Sequence, residues 1–276
     1  MTLRFTEAAD RVYVLREPML EVNVTLVVGD GAALLVDTLS TAGQAAELAA
    51  AVRTVTTGPL TVVNTHHHFD HCFGNRTLAA DPPRPVYAHT SVVAALRDRP
   101  DRVRRAAVEE MRASQPALAV ELARTALLAP TEPVEVQTVL DVGGRRVLLR
   151  HPGPGHTAGD LVVQLPDVDV LVAGDLVESA GPPDFADAYP LRWPDAVADL
   201  LRLTGPGTVV VPGHGPLVDV GFVRTQHARL TELAGLIRAA HAAGDPPERV
   251  AEVAPFGTRA GLDAARRGFA QLDGVD

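Results

Sequence analysis

The stretch VVNTHHHFDHCFGN, from Val62 to Asn75, sets four histidines and one aspartate among the six residues His66 to His71, directly after an apolar run. Neutral imidazole nitrogens and carboxylate oxygens are the donors preferred by zinc and other borderline divalent metals. In an extended chain, residues two apart share a side. His66, His68 and Asp70 are therefore expected to project together, while His67 and Phe69 point away. His71 joins them from another angle if the chain turns, which a loop permits. One stray histidine suits a solvated or packed role; a His-x-His-x-Asp-His run at a strand end suits a metal.

A metal site needs closure, and three further stretches offer it. HPGPGHTAGDLVV carries His156 in a Gly/Pro-rich loop before a strand, and VDVLVAGDLV ends a β-branched strand with Asp175. GTVVVPGHGP places His214 in a glycine-flanked loop after another strand. Glycines there let the backbone pass close to a metal. The other histidines, His67, His89, His151, His227 and His241, lack partners at a suitable spacing and receive no role. No Ser-His-Asp set or nucleophile elbow competes. GHTAGD is no nucleotide loop, because it lacks the Gly-x-Gly-x-x-Gly spacing and opens a strand.

The elements that must hold these residues can be read from periodicity. Val22–Val28 and Ala32–Val36, joined by Gly29-Asp30-Gly31, predict a β-hairpin. Ala42–Val55 predicts a helix and Leu60–Thr65 a buried strand. PVYAH and SVVAALRD predict a strand and a helix, and residues 101–129 read as helical with a break near Pro116. Strands are expected at Val134–Leu140, Arg145–Leu149, Leu161–Leu165 and Val168–Val172. A helix around Pro194–Leu203, a strand GTVVVP, a long helix from about Phe222 to Ala243 and a helical tail complete the order. Two β-rich halves flanked by helices suggest a sandwich of sheets with helices outside. The expected organisation is a single domain over 1–276, with a helical insertion near 101–129 and a helical C-terminal tail near 222–276.

Hydrophobic residues make up 46% and charged residues 21% of the 276, an ordinary globular mixture with enough chain for a core that needs no staples. The net charge is −9 and all 25 basic residues are arginines, a balance that weighs against a nucleic-acid partner. The cluster RDRPDRVRR, Arg97 to Arg105, is read as the solvated side of a helix. No run approaches a membrane span, and no secretory signal is expected at the N-terminus. The single cysteine, Cys72, excludes an internal disulfide and fits a reducing compartment, so a cytoplasmic location is expected. Phe185, Tyr189 and Trp193, near a helix start, are read as packing ahead of pocket lining. Arg192 and Arg224 are read as exposed surface ahead of an anion contact.

HHHFDH, GHTAGD, AGDLV and PGHGP, in this order, make the chain resemble the metallo-β-lactamase-fold hydrolase superfamily over roughly residues 12–220. The resemblance implies an αββα sandwich of two mixed β-sheets, with helices on the outer faces and metals at one edge. It implies two divalent metal ions, zinc foremost, with manganese or iron also compatible with the donors. His66, His68 and His156 would hold one metal; Asp70, His71 and His214 the other; Asp175 would bridge both. A bridging hydroxide would attack a small ester, thioester, lactone or amide, with Asp70 as the catalytic residue orienting it. The zinc β-lactamases of this family carry a cysteine where Asp175 stands. Aspartate there is similar to the glyoxalase II and lactonase branches, which lowers the expectation of β-lactam hydrolysis. A phosphodiesterase or nuclease on the same fold is the other alternative.

Overall fold

The computed structural model describes residues 3–275. Residues 1, 2 and 276, the ends of the expected single domain and of its tail, lie outside the described residues. Contacts divide the chain into two compact units: residues 1–151 with 163–168, and residues 152–162 with 169–276. The strands form one seven-stranded and one five-stranded sheet.

In the first unit the chain opens with β1 (Thr6–Ala9), β2 (Val12–Arg16), β3 (Asn23–Val28) and β4 (Ala33–Val36), joined antiparallel in that order. Helix α1 (Ala42–Val55) follows, its N-terminus capped by Thr41, which accepts from the Gln44 amide at 3.2 Å. Strand β5 (Leu60–Val63) then lies parallel to β4. Leu48 and Ala45 of α1 pack on Leu26, Leu35 and Val62 of the sheet. Both faces of β3 are covered, which explains its continuous apolar run.

Two short helices, α2 (Phe69–Cys72) and α3 (Asn75–Ala79), carry the chain to β6 (Val86–His89). Helices α4 (Thr90–Asp98), α5 (Pro100–Arg112) and α6 (Pro116–Arg124) come next. Phe69, Phe73, Val92, Leu96, Leu118 and Leu122 form a second core there.

The strand expected at Val134–Leu140 is two strands, β7 (Glu132–Val134) and β8 (Gln137–Val142). β7 pairs parallel with β6, whereas β8 pairs antiparallel with β9 (Arg145–Arg150), so the chain changes sheets between them. A continuous apolar pattern conceals such a crossing. β10 (Val162–Leu165) stands next to β9 in the five-stranded sheet.

The second unit is built on β11 (Val170–Glu178) and β12 (Val209–His214), which are parallel. Helices α7 (Trp193–Arg202), α8 (Val220–Ala243), α9 (Pro247–Ala251) and α10 (Thr258–Leu272) accompany them. Asp219 caps α8 by accepting from the Phe222 amide, and Gly244 ends it in the left-handed region at φ 73°. Trp193, Leu200, Val210, Leu230, Leu233 and Ile237 share one core. Among the described residues, no helix is long and apolar enough to cross a membrane.

Candidate metal centre

In the first unit, β5 ends at Val63 and delivers the histidine run. Residues 65–68 already bend, although His68 itself has extended torsions, with φ −65° and ψ 151°. Beyond it the chain turns into α2, so Asp70 and His71 stand on a helical turn and not on the continued strand phase. The reason is tertiary. The His71 carbonyl accepts from the Thr38 amide at 2.9 Å and from Asn64 Nδ2 at 3.2 Å, while Phe69 and Phe73 sit in the core.

The turn gathers the donors. The His66 ring centroid lies 4.7 Å from that of His68 and 4.2 Å from that of His71. His71 Nε2 lies 3.7 Å from Asp70 Oδ2. His66, Asp70 and His71 are buried, and His68 is half-buried.

One residue absent from the sequence reading organises this set. Asp37, just after β4, accepts from the Thr65 amide, the Thr65 hydroxyl and His71 Nδ1, each at 2.8 Å. Its φ of 70° is left-handed, a strained conformation held by those bonds. Burial pushes its carboxyl up from the ordinary value, and His71 opposes that most strongly. Because Thr65 Oγ1 donates to Asp37, its contact with His66 Nδ1 at 3.0 Å makes that nitrogen the donor. His66 and His71 are thereby left with Nε2 lone pairs, the form a metal requires. The only signal in the sequence was a carboxylate directly after an apolar strand, as at Asp175.

Cys72 is buried, and its thiol donates to the His67 and His68 carbonyls at 3.2 Å. Burial, then the charges of Asp37 and Asp70, push that thiol well above its ordinary value. His89 and His151 stack on each other at 4.0 Å. His241 meets Asp273 at 2.9 Å.

The second unit gathers its three candidates around one oxygen. Asp175 Oδ2 lies 3.4 Å from His156 Nε2 and 3.4 Å from His214 Nε2. Ligand atoms about 2.1 Å from a shared tetrahedral metal are separated by about 3.4 Å, so this spacing fits donors around metal. The pairing of β11 with β12 shifts register at Gly174, whose φ is 55°, and the shift presents Asp175. A Cβ on Gly213 would lie 1.7 Å from Asp175 Oδ1, so the β12 glycine is what admits that carboxylate.

His156 is held by its loop and by its neighbours. The Thr157 amide donates to Asp160 Oδ2 at 2.9 Å, and the Thr157 hydroxyl donates to Oδ1 at 2.7 Å. The His156 ring meets Trp193 at 5.5 Å, and Trp193 Nε1 donates to the Leu176 carbonyl at 3.2 Å. Phe185 and Trp193 are buried in the core, as expected for packing.

The family model of the metallo-beta-lactamase superfamily matches residues 18–214. The chain is 33% identical over 166 residues to Metallo-beta-lactamase type 2 of Bacillus cereus, covering 59% of this chain and 54% of that protein. It is 34% identical over 117 residues to Metallo-beta-lactamase type 2 of Bacillus sp. (strain 170), covering 41% and 46%. The chain thus spans about half the length of these curated relatives. A metallo-beta-lactamase from Pontibacter korlensis has a similar solved structure, with TM-score 0.67 at 22% identity over 83% of this chain and 99% of that one. That likeness establishes the fold, the αββα class of two mixed sheets with helices. With the family model covering most of its length, the chain belongs to the metallo-beta-lactamase superfamily.

Proposed function

We propose that this chain is a single-domain, dinuclear metal-dependent hydrolase acting on a small ester, thioester, lactone or amide. Members of the superfamily are generally metal-dependent hydrolases. The observation that carries the dinuclear reading is Asp175 Oδ2 at 3.4 Å from the Nε2 atoms of both His156 and His214, two donors that the resemblance assigns to different ions. A carboxylate so placed suits a bridge. On this reading His66, His68 and His156 would hold one ion, Asp70, His71 and His214 would hold the other, and Asp175 would be available to both. Bound divalent ions, zinc foremost, would polarise the substrate oxygen and bring the pKa of water from about 16 towards 7. Asp70 orients the water and receives its proton, while Asp37 keeps His66 and His71 in the ligating tautomer.

The names of the relatives favour a second reading, β-lactam hydrolysis. Asp175, where the resemblance leads one to expect cysteine in zinc β-lactamases, weighs against it. The net charge of −9 weighs against a phosphodiesterase or nuclease, and a cytoplasmic location is proposed from the lone, buried Cys72.

The test is metal analysis of replete protein with a thioester, lactone, β-lactam and phosphodiester panel. Two ions per chain are expected; a single tightly held ion ends the dinuclear reading. Asp70→Asn should lower turnover of the best substrate at least about 10²-fold, and His67→Ala far less. A folded, metal-loaded Asp70→Asn variant working at nearly the parent rate would remove Asp70 from the mechanism.

A further inference from the structure

A cavity of about 440 Å³ in the second unit is lined by Pro154, Tyr189, Leu191, Arg192, Arg238 and Gln271, with Leu272 at its edge. Its size is that of a small-molecule site. Its charged side chains are all cationic. Arg97, Arg104, Arg112, Arg145 and Arg249 each hold a carboxylate within ion-pair distance. Arg192 and Arg238 hold none among the described residues. The cavity lining offers these two guanidiniums no carboxylate.

The backbone of Leu191 fixes the orientation of the other groups. Its amide donates to Gln271 Oε1 at 3.4 Å, and its carbonyl accepts from Arg238 Nη2 at 3.3 Å. With Oε1 committed, the other end of the Gln271 side chain is the donor. That nitrogen is buried and meets no acceptor among the described residues. Two guanidiniums therefore border a space whose lining contains no anion of the chain's own. Pro154, Leu191 and Leu272 supply an apolar wall beside them.

We propose that this cavity binds a small organic oxyanion: a carboxylate or phosphate monoester with an apolar body. Arg192 and Arg238 receive the oxyanion, and the apolar wall takes the body. The cavity backs onto the His156 loop, because Pro154 precedes it and the Tyr189 amide donates to the Gly155 carbonyl at 2.8 Å. Arg238, Gln271 and Leu272 lie beyond the family match, which ends at residue 214, so the C-terminal helices supply three of the seven lining residues. None of its residues is a proposed metal ligand, so the proposal stands whether or not the hydrolase reading does.

Calorimetric titration of the metal-loaded full chain, at fixed ionic strength, tests it with phenyl phosphate, benzoate, inorganic phosphate and benzyl alcohol. Saturable binding is expected for phenyl phosphate or benzoate, weaker binding for inorganic phosphate, and none for neutral benzyl alcohol. The preferred probe identifies the oxyanion. Arg192→Met and Arg238→Met should each weaken binding at least about tenfold, the loss of one charge-assisted hydrogen bond, with metal content unchanged. Arg192 and Arg238 are both exposed, so each variant remains informative should the other fold poorly. No saturable binding, equal binding of benzyl alcohol, or parent affinity in a folded arginine variant would each overturn the proposal.

Discussion

The two donor sets are made rigid by different means. In the first unit His66, His68, Asp70 and His71 are adjacent in sequence and are fixed by polar bonds, with Asp37, Thr65 and Asn64 at the centre. In the second, His156 comes from the loop before β10, Asp175 from within β11 and His214 from the end of β12, and they are fixed by shape. Gly213 admits the Asp175 carboxylate, and a Cβ on Gly155 would lie 2.4 Å from Leu176 Cδ2. Neighbours in sequence need only be turned correctly, which hydrogen bonds do at short range. Distant residues must be brought to the right depth, which close packing does. The first set should therefore be sensitive to changes of hydrogen-bonding type, and the second to added volume.

The largest effect should come from volume in the second set. Gly213→Ala places a methyl against Asp175, and a shift of that carboxylate by about 1 Å suffices to cost about 10²-fold in turnover. Metal content should fall with it. If the variant kept both metals and its rate, the claim that shape positions Asp175 would be wrong.

Next comes hydrogen-bonding type in the first set. Asp37→Asn preserves volume but disrupts a buried carboxylate that accepts from Thr65 and His71. Metal retention, measured by chelator competition, should weaken about 10–100-fold, as for other groups that orient metal ligands. Retention unchanged from the parent would leave Asp37 a mere packing residue.

The smallest effect is a pH slope confined to the first unit. His89 caps α4 by accepting from the Ser91 amide at 3.2 Å, which requires an unprotonated Nδ1. Burial, then the neighbouring His151, lower its pKa from 6.5 to about 4. Above pH 6.5 the ring is neutral in both folded and unfolded chains, so its contribution is complete. Between 6.5 and about 4 the unfolded chain takes up a proton that the folded chain refuses, and stability falls as pH falls. Roughly 2 kcal/mol is at stake once solvent screening of this half-buried ring is allowed for. His89→Asn keeps a capping acceptor without the titration and should flatten the slope in denaturant melts from pH 7 to 4.5. A slope as steep as the parent's would place the titration elsewhere.

Local periodicity made much of this molecule legible. The helix expected at Ala42–Val55 is α1 with those bounds, and the Val22–Val36 hairpin is β3 and β4. Strands β1 and β2 went unread because they are short and owe their place to pairing with β3. The donors were visible because residue type and strand-end position identify them. Asp37 was not, since its role depends on His71, 34 positions away, and no local pattern marks such a contact. The same holds for Arg238 and Leu191, 47 positions apart.

The thiol of Cys72 gives the histidine run a built-in clock. It is buried, bonded to two carbonyls of that run and held protonated, so alkylating and oxidising reagents should pass it by while the turn stays closed. Modification then waits on opening of residues His67 to Cys72, and its rate counts those openings. Because Cys72 is the single cysteine, no other thiol contributes to the signal.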